Sequence, residues 1–343
     1  MSEVAHTPSR KADHIRVNLE QDVRSGLSTG LERLHFTHRA LPDLNLDDVD
    51  AGCAFLGKPL AAPLLISSMT GGTEQATRIN MMLAEAAQSA RIAIGLGSQR
   101  VALEDPHWEA SFRVRSVAPD ALLFANLGAV QLNYGYGITE CSRAVEMASA
   151  DALFLHLNPL QEAVVPEGNT RFAGLLPRIE AVCRALPVPV IVKEVGWGIS
   201  ADDARRLVDA GVAAIDVAGA GGTSWTQVEM HRASSRDQAE LAAAFLDWGI
   251  PTATALRDIH QALPAIPLIA SGGLQNGVDL AKCITLGASL GGMAGPFLRS
   301  AAESPQAIHD RIRLTIAQLR VAMFAAGCAT LDTLRQAKLW ADG

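Results

Sequence analysis

A histidine, two amides and a carboxylate fall close together in one short segment of the chain. The segment reads HLNPLQE and contains His156, Asn158, Gln161 and Glu162. One histidine and one carboxylate are too few protein ligands for zinc, whereas Mg²⁺ completes its shell with water and substrate phosphate. Two interpretations of Glu162 remain open at this point, a Mg²⁺ ligand for a phosphorylated substrate and a solvated surface charge.

A lysine ends one of the most apolar runs of the sequence. Lys193 follows the run VIV at 190–192, which predicts a half-buried position. A buried ammonium group is costly unless an anion faces it. That anion is either a neighbouring carboxylate, Glu194 or Asp216, or the anionic edge of a reduced flavin. Alternatively, Lys193 forms a Schiff base.

Two glycine-containing turns near the end of the chain are suited to a phosphate group. They read Ser271-Gly272-Gly273-Leu274 and Ala294-Gly295, and each follows an apolar segment. Glycine lets backbone N–H groups approach an anion, and a helix N-terminus beside them adds to the attraction. The pair of turns predicts a phosphorylated cofactor, with plain tight turns as the alternative.

Eight apolar segments predict the strands that must position these residues. They are LLISS at 64–68, IAIGL at 92–96, LLFAN at 122–126, ALFLH at 152–156, VIVKE at 190–194, AIDVA at 214–218, PLIAS at 267–271 and SLGGM at 289–293. Most starts lie roughly 30 residues apart, which is what one strand-helix unit needs. Eight alternating units favour an α/β fold of the (β/α)₈ TIM barrel class over an open doubly wound sheet.

Helical patterns fill the intervals between these segments. The predicted helices cover 73–90, 139–149, 172–186, 201–210 and 277–286, with two more near 238–248 and 252–263 in the longest interval. The carboxyl ends of all eight strands then meet at one face of the barrel, where such enzymes carry their active sites. The polar residues that follow the strands should therefore line one site.

Composition and charge restrict the class of protein further. The 343 residues are 49% hydrophobic and 19% charged, and the formal net charge is −7, so we predict no nucleic-acid partner. The five cysteines form no C-x-x-C pair, and no apolar stretch resembles a signal peptide or a membrane span. We predict a cytoplasmic protein without a membrane partner, built from an N-terminal arm or lid packing on the barrel (1–60), the barrel (61–303) and a C-terminal helical tail (304–343).

Motifs throughout the chain resemble the type 2, FMN-dependent isopentenyl-diphosphate Δ-isomerases. The resemblance runs through RKADH, SSMTGG, GLGSQR, FANLGA, HLNPLQE, VIVKEVGWGIS, VAGAGGTSW, DWGIPT, IASGGLQNGVDLAKCITLGA and AGPFL. It implies an isomerase that interconverts isopentenyl diphosphate and dimethylallyl diphosphate in isoprenoid biosynthesis, using reduced FMN and Mg²⁺, with NAD(P)H as the reductant of the flavin. It also implies a homo-oligomer, a tetramer or an octamer.

The resemblance assigns roles position by position. FMN is expected at Ser68, Met69, Thr70, Ser98, Asn126, Lys193, Thr223, Gly272, Gly273, Ala294 and Gly295. The substrate is expected at Arg10, Lys11, Ser98, Arg100 and Gln161, with His156, Asn158 and Gln161 as the catalytic set and Glu162 as the Mg²⁺ ligand. His156 is counted with Arg10, Lys11 and Arg100 among the cationic partners of the diphosphate. Gly295 departs from the family pattern, where a larger residue is expected.

Two other functions are compatible with a flavin barrel. An FMN-dependent 2-hydroxy-acid oxidase or dehydrogenase would have an H-G-G-R loop after the sixth strand, whose histidine takes a proton and whose arginine binds a carboxylate. This chain reads Ala220-Gly221-Gly222-Thr223 there and lacks both groups. A non-catalytic flavin-binding barrel would not require the polar cluster from His156 to Glu162.

Overall fold

The computed structural model describes residues 7–342, with side chains from Lys11 onward. Its strands are β1 (Leu34–Phe36), β2 (Cys53–Phe55), β3 (Lys58–Leu60), β4 (Leu64–Ile66), β5 (Ala93–Gly95), β6 (Leu123–Gly128), β7 (Ala152–His156), β8 (Val190–Lys193), β9 (Ala214–Asp216), β10 (Leu268–Ala270), β11 (Leu290–Met293) and β12 (Leu339–Ala341). Strands β4 to β11 pair in parallel, and β11 returns to β4, so the barrel is closed. These are the eight predicted strands, and the predicted (β/α)₈ barrel is confirmed.

Helices follow the barrel strands and cover them. They are α1 (Thr7–Glu20), α2 (Glu74–Ala90), α3 (Arg100–Glu104), α4 (Ile138–Ala148), α5 (Pro159–Val164), α6 (Leu175–Ala185), α7 (Ala201–Asp209), α8 (Trp225–Arg232), α9 (Arg236–Ala243), α10 (Thr252–Ala262), α11 (Gly277–Thr285), α12 (Gly295–Glu303), α13 (Pro305–Ala325) and α14 (Leu331–Arg335). Among the described helices, none combines the length and apolar composition that a membrane crossing requires.

The sequence locates most helix ends to within a few residues. Ser200 caps α7 as predicted, because its hydroxyl accepts the N–H of Asp203 at 3.1 Å. The helix predicted near 238–248 is shorter and lies earlier, at Arg236–Ala243, and the one predicted from Phe172 begins at Leu175. The segment after β7 contains the short helix α5, which is not among the helices predicted from the sequence.

Side chains inside the barrel change from apolar to polar along the strands. Phe124, Phe154 and Ile191 belong to the apolar cluster that fills the lower interior. Because alternate residues of a strand share a face, Asn126, His156 and Lys193, each two positions later, point into the same interior. The polar groups therefore sit at the carboxyl end of the barrel, above a dry core.

Chain segments outside the barrel close both of its ends. The antiparallel hairpin β2–β3 covers the amino end, where Phe55 meets Phe124 with ring centroids 6.3 Å apart. Helix α1 lies against α8 and α12 at the carboxyl end. Strand β1 pairs with β12, which joins the N-terminal region to the C-terminal tail. Both flanking regions thus pack on the barrel, although their division into separate units stays a prediction.

Candidate active site

A cavity of about 1210 Å³ opens at the carboxyl ends of the strands. It brings together every predicted site residue except Arg10, whose side chain lies outside the described part of the chain. The lining contains Lys11, Ser68, Met69, Thr70, Ser98, Arg100, Asn126, His156, Asn158, Gln161, Glu162, Lys193, Thr223, Gly272, Gly273, Ala294 and Gly295. Residues spread over most of the sequence therefore share one space, as the barrel topology predicts.

His156 forms part of the cavity floor. Its Nδ1 lies 2.8 Å from Oδ1 of Asn126, and a carbonyl oxygen only accepts, so Nδ1 carries the proton of the neutral ring. Desolvation, reinforced by the positive charges of Lys193 and Lys11, lowers the pKa of His156 to about 3. The ring is therefore neutral near pH 7, and the cationic role expected for it is wrong for this structure. It serves as a hydrogen-bonding group instead.

Lys193 is the buried cation of the floor, with an exposed fraction of 7%. Its Nζ donates to the backbone oxygen of Glu194 at 2.5 Å, and among the described residues it enters no ion pair. The Glu194 carboxylate turns the other way and accepts the N–H groups of residues 195–197 at 2.6–2.8 Å. The alternative of an ion pair with Glu194 is thus wrong, and the ammonium faces the cavity.

Asp216 lies in register with Lys193 on the neighbouring strand but beneath the cavity floor. Its Oδ1 accepts the hydroxyl of Ser271 at 2.6 Å, while Oδ2 is buried without a hydrogen-bond partner in the described structure. Burial raises the pKa of Asp216, and the charge of Lys193 acts in the opposite direction. Asp216 makes no ion pair with Lys193 in the described structure, so the ammonium group is not neutralised by direct contact with it.

The segment after β7 fixes its polar side chains through a short helix. Asn158 precedes α5, and its Nδ2 donates to Gln161 Oε1 at 3.1 Å and to Glu162 Oε1 at 2.9 Å. The Gln161 Nε2 donates in turn to Glu229 Oε1 at 3.0 Å. Both ends of the Gln161 amide are therefore occupied, and its orientation is determined by the two neighbours.

A second chain of hydrogen bonds joins Glu162 to Arg100. The backbone N–H of Asn169 donates to Glu162 Oε2 at 2.5 Å, and Asn169 Oδ1 accepts Nη1 of Arg100 at 2.9 Å. Arg100 also donates through Nε to Glu104 at 2.7 Å. We call Arg100, Asn158, Gln161, Glu162 and Asn169 the network side of the cavity.

The opposite wall is built from backbone. Gly272 has φ +99°, and a Cβ there would lie 2.1 Å from the oxygen of Gly219. Gly273 has φ +87°, and its Cβ would lie 2.6 Å from the oxygen of Gly221. The loops after β9 and β10 can pack this closely only because they lack side chains. We call Gly219, Gly221, Gly272 and Gly273 the glycine side.

Helix α12 begins next to the glycine side. Ala294 is its N-cap residue, and Gly295 is its first residue. A Cβ at Gly295 would lie 3.4 Å from Nη1 of Arg299, which is ordinary contact, and its φ is not in the left-handed region. The backbone here does not demand glycine, so a larger residue can be accommodated at this position.

Helix α1 forms the roof of the cavity. Lys11 Nζ donates to the backbone oxygen of Ser98 at 2.9 Å, and His14 Nε2 lies 3.1 Å from Glu229 Oε1. Asn18 Oδ1 accepts a hydrogen bond from the hydroxyl of Thr223 at 3.4 Å. The N-terminal region therefore contributes directly to the site.

Sequence reasoning missed several residues of this site, and Glu229, His14, Asn169 and Gln131 are the most informative. Each takes part in the cavity network through partners far away in sequence, such as Glu229 with Gln161, 68 positions apart. A carboxylate on a helix directly after the Gly-Gly-Thr-Ser-Trp loop was the one local indication of Glu229. Asn169 lies in the segment after HLNPLQE, and apart from this nearness no local pattern in the sequence indicates that it belongs to the site.

Comparison with known proteins adds the family. Residues 167–341 match the FMN-dependent dehydrogenase family. Curated proteins named isopentenyl-diphosphate delta-isomerase are similar over nearly their whole length: the one from Nostoc sp. is 54% identical over 97% of this chain and 96% of its own, and the one from Synechocystis sp. is 55% identical over the same shares. The one from Rickettsia rickettsii is 51% identical over 96% of both chains.

Solved structures support the fold. A mandelate oxidase mutant with a monooxide FMN adduct superposes with a TM-score of 0.68 over 98% of this chain and 93% of its own. Its sequence identity is 21%, so this likeness shows the common barrel alone.

Proposed function

This chain belongs to the isopentenyl-diphosphate delta-isomerase family, of the FMN-dependent type, and we propose that it interconverts isopentenyl diphosphate and dimethylallyl diphosphate. The observation that carries the proposal is the identity of 54% with a named isomerase over 97% of the chain. The reaction moves a double bond by adding a proton at one carbon and removing one from another. The site therefore needs a place for the diphosphate and a shielded, hydrogen-bonding surface for the reacting carbons.

The cavity suits FMN at its glycine side and floor. In this proposal, backbone N–H groups of Gly272, Gly273 and α12 would bind the phosphate, and the ammonium of Lys193 would face an anionic flavin edge. The hydroxyl of Ser68 is buried without a hydrogen-bond partner in the described structure, which suits a polar cofactor. The same cofactor site would include Met69, Thr70, Ser98, Asn126, Thr223, Ala294 and Gly295. Reduced FMN would supply an acid–base nitrogen and an electron-rich face, with NAD(P)H needed only to reduce it.

The diphosphate is assigned to the network side and the roof. Lys11 and Arg100 supply positive charge, Ser98 a polar contact, and Arg10 is assigned by its motif alone. The described residues contain no cluster of three metal-ligating side chains. A Mg²⁺ ion would therefore bind through Glu162, water and the diphosphate itself, a ligand set that this ion accepts.

Gln161 is the group assigned to the reacting carbons. A neutral amide is no conventional general base, but it donates and accepts hydrogen bonds. Asn158 and Glu229 hold it at both ends, so its orientation does not have to be established in each turnover. His156 acts as a neutral hydrogen-bonding partner on the floor.

The oxidase alternative loses support at the loop after β9. Ala220 is fully buried and Thr223 binds Asn18, so the loop offers neither a proton acceptor nor a carboxylate-binding arginine. A non-catalytic flavin barrel does not account for the ordered network side. We further propose a cytoplasmic homo-oligomer, a tetramer or an octamer, for which light scattering after gel filtration is the measurement; the five free cysteines are compatible with a reducing compartment.

The test combines a spectrum with a product assay. The purified protein should show a flavin absorbance spectrum and release FMN on denaturation. After reduction by light or NADPH, it should form dimethylallyl diphosphate from isopentenyl diphosphate when Mg²⁺ is present. Release of FAD, or oxidation of lactate or glycolate with reduction of the flavin, would contradict the proposal.

A further inference from the structure

We propose that Asn169 is a positioning residue that holds the Arg100 guanidinium toward the diphosphate. The inference rests on the proposed function, because it takes Arg100 as a diphosphate-binding residue. Asn169 is buried, with an exposed fraction of 7%, and lies between Arg100 and Glu162. The proposal places Asn169 in no direct contact with the substrate. Asn169 acts by fixing the position of Arg100.

The Asn169 side chain makes two hydrogen bonds with one atom. Its Oδ1 accepts Nη1 of Arg100 and Nε2 of Gln131, both at 2.9 Å. A guanidinium group has donors only, so the atom that faces it must be the amide oxygen, and the orientation of the amide is determined. Both lone pairs of that oxygen are then used. Gln131 fixes Asn169 on the side away from Arg100.

Arg100 is held from two different elements. Its Nε donates to Glu104, one turn later in its own helix, and its Nη1 donates to Asn169 in a distant segment. The ion pair with Glu104 joins residues of one short helix and is only partly buried, so by itself it does not fix the long Arg100 side chain. The second contact fixes the plane of the guanidinium before the ligand arrives, which reduces the entropy lost on binding.

The turn before Asn169 makes its backbone contact independent of its side chain. A Cβ at Gly168 would lie 1.8 Å from the backbone oxygen of Glu162, so the segment returns very close to α5. This close return places the N–H of Asn169 on Glu162 Oε2 at 2.5 Å. A substitution of the Asn169 side chain should therefore release Arg100 while it leaves the Glu162 contact in place.

The experiment measures binding of inorganic diphosphate to the FMN-loaded enzyme in the presence of Mg²⁺, together with KM and kcat. We expect N169A to raise Kd and KM about tenfold, the usual effect of losing a hydrogen bond to a charged group, with kcat within about twofold. N169S is a second variant to use if N169A folds poorly. Its hydroxyl is too short to reach Arg100, so it should also raise Kd and KM about tenfold.

Asn133 offers a matched control. Its Nδ2 donates to the backbone oxygens of Arg171 and Ala173 at 2.6 and 3.0 Å, so N133A loosens the same segment without touching Arg100. We expect N133A to bind diphosphate like the wild type. In a double-mutant cycle, N169A should add little to R100A, because both remove the same contribution.

The outcomes separate the inference from the proposed function. If R100A binds diphosphate like the wild type, the assignment of Arg100 in the proposed function fails. If R100A weakens binding but N169A does not, the inference about Asn169 is overturned. It is overturned equally if N133A matches N169A, or if the losses of R100A and N169A are additive.

Discussion

The two walls of the cavity recognise charge by different means. The glycine side presents backbone N–H groups and has no titratable side chain among its defining residues, whereas the network side consists of side chains that fix one another through hydrogen bonds. On the glycine side any added atom collides with another backbone, and on the network side the loss of an atom releases its partners. Substitutions should therefore act through steric exclusion on one wall and through lost orientation on the other.

The largest effect is expected from G272A. The new methyl group would lie 2.1 Å from the Gly219 oxygen at a φ of +99°, so both the loop contact and the backbone conformation resist it. We expect the melting temperature to fall by an amount equivalent to about 3 kcal/mol, with most of the FMN lost. Bound flavin per protein and thermal unfolding are the measurements.

G174A is the matched control for this prediction. Gly174 has φ +69°, and in the described structure a Cβ added there would meet nothing within 4 Å, so the variant carries the backbone strain without the collision. It should cost about 1 kcal/mol and retain its FMN. Equal FMN loss in both variants would show that close packing is not what shapes the glycine side.

On the network side, Q161A should have the largest effect. Removing the amide leaves Asn158 and Glu229 without their common partner and takes a hydrogen-bonding group from the reacting carbons. We expect kcat to fall about hundredfold, roughly 2.7 kcal/mol, with the Mg²⁺ dependence nearly unchanged. The assay follows dimethylallyl diphosphate with pre-reduced FMN across a Mg²⁺ titration. A wild-type kcat would remove Gln161 from the catalytic set.

E162Q tests the neighbouring residue for a different role. The substitution nearly preserves shape and can keep its contact with Asn158. It removes the negative charge that a cation needs, and with it the second oxygen, which accepts the N–H of Asn169. We expect the Mg²⁺ concentration for half-maximal activity to rise about tenfold, with FMN content unchanged. An unaltered Mg²⁺ curve would return Glu162 to a structural role.

The two walls also differ in how far the sequence predicts them. Paired glycines after apolar segments indicate the glycine side directly, because the local backbone requirement is visible in the residue type. The network side depends on partners distant in sequence, such as Arg100 with Asn169, 69 positions apart. Local patterns identify Arg100 and Glu162 but not the residue between them. The neutral state of His156 likewise follows from desolvation and two ammonium groups that only the fold brings near.

His156 gives a pH prediction with a defined sign. Its folded pKa of about 3 lies below the ordinary histidine value of 6.5, so between these values the unfolded chain binds more protons than the folded one. Stability due to this group is therefore complete above about pH 6.5 and falls as the pH decreases. Between about pH 7 and about pH 5.5, the free energy of unfolding should fall by about 1 kcal/mol more in the wild type than in H156Q. H156Q keeps the buried carboxyl groups of Glu194 and Asp216, so the difference reports His156. Urea unfolding of both proteins measures this, and parallel losses would show that His156 becomes protonated in the folded state.

The smallest effect is expected from G295A, beside the glycine side but outside its close packing. A Cβ there would meet the flexible end of Arg299 at 3.4 Å, and the backbone conformation is open to any residue. Alanine also favours the helical conformation that α12 adopts from this position. The variant should keep its FMN content and stay within about 0.5 kcal/mol of the wild-type stability. The same two measurements apply as for G272A, so the pair compares one added methyl group at two glycines of neighbouring turns. If G295A loses FMN as G272A does, the cofactor phosphate needs more room than backbone packing explains, and the boundary drawn for the glycine side must be extended to α12.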